Sequence, residues 1–161
     1  MSAQVRPGGL DDVLSRLAAM PAFLGAALAR AGESRLAVRP AGGGFSLVEH
    51  ACHLRDLERE GYLLRLMRLL AEANPVLEGF AGDRIAEERD YQAQDAAAAA
   101  RDFAAARAEL LRVVGGLGTA DLAREGEFAG RTVTLAGVVA MAAGHDAEHR
   151  GDIDRLLARL G

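Results

Sequence analysis

The chain has four histidines in two close pairs: His50 and His53, three apart, and His145 and His149, four apart. In an α-helix, residues four apart differ by about 40° around the axis and about 6 Å along it, so two imidazoles at that spacing can converge on one ion. Neutral imidazole is a good ligand for first-row divalent metals, and three of them leave a position for water or substrate. His50 and His53 share a helix face, so spacing alone leaves either one as the third ligand beside His145 and His149. Three buried histidines without an ion would each need another hydrogen-bond partner, which makes a shared metal the simpler account.

Acidic residues flank these positions. Asp146 and Glu148 are candidates to orient an imidazole or to act as a general base, and both also read as ordinary solvated helix charges. Asp56, three residues after His53, has the same two readings. The string His145-Asp146-Ala147-Glu148-His149 fits the H-x-x-E-H order of inverted zinc peptidases. That class draws its third ligand from farther along the chain, however, and only residues 150–161 follow. Cys52 lies about 100° around the helix from His53, so it reads as a small buried residue rather than a ligand.

The elements that must carry these residues are helical. Apolar residues at Leu10, Val13, Leu14, Leu17, Met20, Leu24 and Leu28 predict a first helix over 10–30, with Pro21 as a kink. Gly32, Pro40 and Gly42-Gly43-Gly44 then predict a loop. Ser46 and Glu49 form a capping box that starts a second helix over 46–73, whose apolar face runs through Leu47, Leu54, Leu57, Leu64 and Met67 and stops before Pro75. Residues 74–94 read as a long connection that crosses a bundle end or covers a site, with one or two turns at 85–89.

Asp95 predicts the N-cap of a third helix through Phe103, Leu110, Leu111 and Val114 to Gly115-Gly116. After a short polar region with Gly126 and Gly130, Thr134 caps a fourth helix. Its stripe reads Leu135, Val138, Val139, Ala142, His145, His149, Ile153, Leu156 and Leu160, which places two histidines among core positions. The expected fold is all-α: one domain over 1–161, a four-helix bundle with a long crossover between helices two and three.

Composition narrows the function classes. At 161 residues, 50% apolar and 26% charged, the chain has the balance of a globular domain rather than a disordered segment. A net charge of −4 and a pI near 5.6 give no basic field for a phosphate backbone, so nucleic acid is not an expected partner. All 19 basic residues are Arg, which we read as codon bias rather than phosphate recognition. The single cysteine excludes an intrachain disulfide and suits a reducing, cytoplasmic setting. The opening MSAQVRPGGL lacks a hydrophobic signal-peptide core, and no apolar run is read as long enough to span a bilayer, so no membrane association is expected.

In order and spacing these motifs resemble the DinB/YfiT-like superfamily of four-helix-bundle metalloproteins. The resemblance is carried by Phe45-Ser46 followed by Glu49, by His53-Leu54-Arg55-Asp56-Leu57-Glu58, and by Asn74-Pro75. Arg89-Asp90-Tyr91, Phe103 and Arg107, Thr134-Leu135 and Gly144-His145-Asp146-Ala147-Glu148-His149 complete it, over nearly the whole chain. The chain departs from the family pattern at Phe45, where Trp is usual, and at Arg150-Gly151-Asp152, where Leu and Gln are frequent.

The resemblance implies a ligand set of His53, His145 and His149, which chooses His53 over His50. It also implies a metal-dependent transferase using a low-molecular-weight thiol such as bacillithiol or mycothiol, in stress or detoxification, with a small-molecule substrate and a homodimeric assembly. A non-catalytic metal-binding bundle and a metal-dependent hydrolase are the alternatives. Three imidazoles suit Zn, Ni, Co, Cu or Fe, with Zn or Ni the first expectation.

Overall fold

The computed structural model describes residues 9–161. The reading of the N-terminus as lacking a signal-peptide core falls mostly on residues 1–8, outside the described residues. Four long helical rods form the bundle. The first is α1 (Leu10–Ala31). The second is α2 (Leu47–Leu57), continued through a π-turn at Glu58–Tyr62 into α3 (Leu63–Ala71). The third and fourth are α5 (Ala96–Gly115) and α7 (Leu135–Leu160). α2 packs on α5 and α7, and α1 packs on α5 and α7, so the expected four-helix bundle is the observed architecture.

The three capping signals act as the sequence predicts. Ser46 Oγ accepts from the Glu49 N–H while the Glu49 carboxylate accepts from the Ser46 N–H; Asp95 caps Ala98 and Thr134 caps Gly137. Pro21 lies inside α1. It has no N–H for the Leu17 carbonyl one turn back, and that carbonyl instead accepts from Arg107 Nη1 at 2.8 Å.

Two features differ from the sequence reading. By length and composition α1 is apolar enough to cross a membrane, the one such helix among the described residues; its many alanines raise apolarity without forming a bulky run. In the bundle it buries Leu17, Met20, Leu24 and Ala27. On the second rod, Leu64 and Met67 are each 51% exposed, and Arg65, Leu66 and Leu69 are buried instead. A π-turn holds one residue more than an α-turn, so the face that buries Leu54 and Leu57 is continued one position later.

The connection after α3 holds β1 (Val76–Leu77), α4 (Gly82–Glu88) and a 3₁₀ turn at Tyr91–Ala93. Between α5 and α7 lie a short α6 (Thr119–Leu122) and the hairpin β2 (Glu125–Phe128) with β3 (Arg131–Thr134). β2 pairs antiparallel with β3, Gly126 opposite Val133, and parallel with β1, Val76 opposite Glu127. This small sheet caps the end of α3, where Arg124 Nε donates to the Leu69 carbonyl at 2.6 Å. The all-α expectation holds for the bundle; the sheet is an addition in its connections.

Candidate metal centre

α2 is buried on nearly every side, because α5, α7 and α4 all pack against it. An imidazole on this helix therefore faces protein. The structure brings His53, His145 and His149 together. His145 Nε2 lies 3.1 Å from His149 Nε2 and 3.4 Å from His53 Nε2, and one ligand atom from each histidine falls within 4.8 Å of the others. Three nitrogens bound tetrahedrally at zinc distances would stand about 3.3 Å apart, so the donor set fits a first-row divalent ion.

His50 is in a different position. Its Nδ1 lies 2.8 Å from His149 Nδ1, on the opposite side of the His149 ring from the cluster. With the His149 Nε2 lone pair turned to the cluster, its Nδ1–H donates to His50, the arrangement by which metal-binding imidazoles are commonly oriented. His50 thus touches a cluster member without joining the group.

Aromatic rings and a glycine fix His53. Phe45 and Phe80 lie 5.4 and 5.8 Å from its ring centroid. A Cβ on Gly82, the first residue of α4, would come 2.8 Å from His53 Cε1 and 3.1 Å from Nδ1. His53 Nδ1 is buried without a hydrogen-bond partner among the described residues. Tyr62, at the end of the π-turn, stands 6.3 Å from the His145 ring.

Desolvation keeps all four imidazoles neutral. Burial pulls His50 down to about 4. It pulls His53 to about 3 and His149 to about 2, helped by the neighbouring imidazoles. His145 is lowered too, again mainly by burial, with Asp146 and Glu148 acting the other way. Neutral imidazoles offer lone pairs, the form a metal requires.

The acidic candidates are placed elsewhere. Asp146 faces away from the cluster, its carboxylate held by Arg107 Nη1 at 2.6 Å and Nη2 at 3.0 Å, and Arg107 Nε also donates to Glu58. Burial raises Glu58 above the usual carboxylate range. Glu148 is exposed. Asp56 accepts from Arg55, Arg89 and the Tyr91 hydroxyl. The Cys52 thiol is fully buried, pushed up to about 11 by desolvation, and directed at Gln94. Sequence reasoning missed Phe80, Gly82, Tyr62 and Arg65 around the site; none belongs to a short motif, and the π-turn that aligns the last two has no sequence mark of its own.

A helical bundle with three imidazoles gathered between its second and fourth rods defines the class of protein. The chain matches the model of the DinB superfamily over residues 13–153, and it belongs to that superfamily. Among solved structures it is similar to YfiT from Bacillus subtilis, described as a probable metal-dependent hydrolase with an unusual four-helix bundle topology. That likeness has a TM-score of 0.88 at 19% identity, covering 100% of this chain and 93% of the other, and it shows the fold. No curated protein matches the chain.

Proposed function

We propose that this protein is a metal-dependent enzyme in which His53, His145 and His149 hold one divalent cation and an exogenous low-molecular-weight thiol is the nucleophile. The observation that carries the metal is the convergence of three neutral Nε2 atoms at 3.1 and 3.4 Å. A bound cation there supplies Lewis acidity, lowering the pKa of a thiol or water held in its open position. The chain's residues position: His50 orients His149, Phe45 and Phe80 pack His53, and Gly82 leaves room for its ring.

The choice of thiol rests on the family resemblance and on the donor group, which consists of three imidazoles and no carboxylate. Asp146 and Asp56 are committed to arginines, which leaves the exposed Glu148, whose charge is felt at His145, as the remaining sequence candidate for a base. The second reading, hydrolysis, is favoured by the likeness to the Bacillus subtilis protein. It requires turnover with no thiol present.

Elemental analysis of the purified protein beside His53→Ala, His145→Ala and His149→Ala tests the centre. We expect about one divalent ion per chain in the wild type and loss in each variant; full retention in any variant removes that residue from the ligand set. Electrophile consumption by metal-loaded protein across a panel of thiols then separates the chemistries. Activity only with thiol supports transfer, and equal activity without it supports hydrolysis.

A further inference from the structure

Two arginines are buried in the described residues, Arg65 and Arg107. Arg107 is held by two carboxylates. Arg65, only 6% exposed, makes no ion pair among the described residues, and residues 1–8 contain no acid. Its Nε donates to the Glu78 carbonyl at 3.1 Å, and its Cζ stands 5.2 Å from the Tyr62 ring and 4.6 Å from the Phe128 ring. A guanidinium carries five N–H donors, and buried charge normally has a counter-ion. Among the described residues the Arg65 guanidinium meets no carboxylate; besides the Glu78 carbonyl, the Tyr62 hydroxyl is the one polar side-chain group that interacts with it.

Arg65 also borders open space, on a side that the four histidines do not line. Arg65 lines a cavity of about 320 Å³. The other charges around it are largely spoken for: Glu60 binds Arg89 with both oxygens and Arg68 binds Glu72, which leaves Glu78, whose side chain is exposed. The Tyr62 ring neighbours both the Arg65 guanidinium and the His145 ring, and the Arg65 charge is felt at His145.

The π-turn supplies an independent argument. In an unbroken α-helix Arg65 would sit roughly 120° around the axis from His53; one extra residue in the turn brings it to about 20°, three turns along the same face. Helical arginines lean back toward the helix start, here toward His53. The one irregular turn of the second rod thus aligns a guanidinium with the cluster, the kind of place where π-turns often occur.

We propose that Arg65 receives the carboxylate, or another oxyanion group, of the small molecule that reacts at the histidine cluster, so that the substrate class is anionic and long enough to pass Tyr62. The planar fork suits a carboxylate through two parallel hydrogen bonds, and flanking rings hold it flat. This rests on the metal-centre reading for what happens at the other end of the molecule, while the binding step can be measured without metal.

The test is calorimetric titration of succinate and of neutral succinamide into metal-free protein, wild type against Arg65→Gln and Arg65→Lys, with metal content measured on separately loaded samples. We expect the wild type to bind succinate and not succinamide, Arg65→Gln to bind it at least tenfold more weakly, and Arg65→Lys to fall severalfold because the fork is lost. Metal content should be unchanged in both variants. Equal affinity for succinate and succinamide in the wild type overturns the proposal, even if Arg65→Gln does not fold, and so does wild-type affinity in either folded variant. Arg65-dependent succinate binding by a protein that holds no metal would defeat the metal centre and leave the anion site standing.

Discussion

His149 has both ring nitrogens engaged, Nε2 against His145 and Nδ1 against His50. A ligand ring held only by its metal bond can rotate; one held also at its far nitrogen keeps its lone pair aimed and its tautomer fixed. His50→Ala removes that acceptor and is expected to weaken metal binding about 10- to 100-fold, the usual cost of losing such a partner. His50→Asn, whose amide oxygen can accept the same proton, should restore most of it. Competition against a chromogenic chelator measures both, and wild-type affinity in His50→Ala would show that His50 does not orient the centre. The sequence made His145 and His149 legible because i, i+4 on an apolar stripe has few readings. His50 and His53 were not separable by spacing, since both are buried on one helix face and both meet a histidine of the fourth rod, His53 inside the cluster and His50 at the far nitrogen of His149.

At the scale of elements, the caps of α2, α5 and α7 were legible because each is a local hydrogen bond between residues three apart. The π-turn and the hairpin were not. The apolar period from Leu57 to Leu64 is unbroken in the sequence, and the shift that exposes Leu64 is set by what α3 packs against. The hairpin turn uses Ala129 and Gly130, both at positive φ (52° and 77°), where Asn-Gly would have announced it. The long connection is where a structured element escaped notice and matters most, because α4 delivers Gly82 to the His53 ring. Gly82→Ala places a methyl 2.8 Å from His53 Cε1, and Phe45 and Phe80 restrict the ring's retreat. Alanine itself suits a helix start, so the backbone has little reason to object. The expected result is about tenfold weaker metal binding with a melting temperature within a few degrees of wild type, a local displacement rather than a cavity or a lost cap. A matched melting curve together with unchanged metal affinity would mean that α4 yields instead of the ring.

For the whole molecule, the buried imidazoles make folding stability depend on pH in a window where few other groups act. All four histidines have folded-state pKa values below the ordinary value of 6.5. Well above pH 6.5 neither state is protonated and no penalty exists. As pH falls below 6.5 the unfolded chain takes up protons that the native state refuses, so native stability is lost from about pH 6.5 down toward the folded values near 4 to 2. Each fully refused proton costs about 1.4 kcal/mol per pH unit. Glu58 works the other way: its raised pKa lets the native state accept a proton as pH falls. It is one group against four, and acidic groups with lowered values, Asp56, Glu49 and Glu60, join the histidines only at more acid pH. Metal-free protein should therefore show a urea midpoint that drops clearly between pH 7 and pH 5. Replacing His50 and His149 together by Gln should flatten that drop by removing two of the refusing groups. Divalent metal should raise the midpoint at pH 7 and lose its effect toward pH 5, since protons and metal compete for the same lone pairs. A midpoint that stays level from pH 7 to pH 5 without metal would show that the imidazoles accept protons in the native state, and with it the packing that keeps them neutral would be refuted.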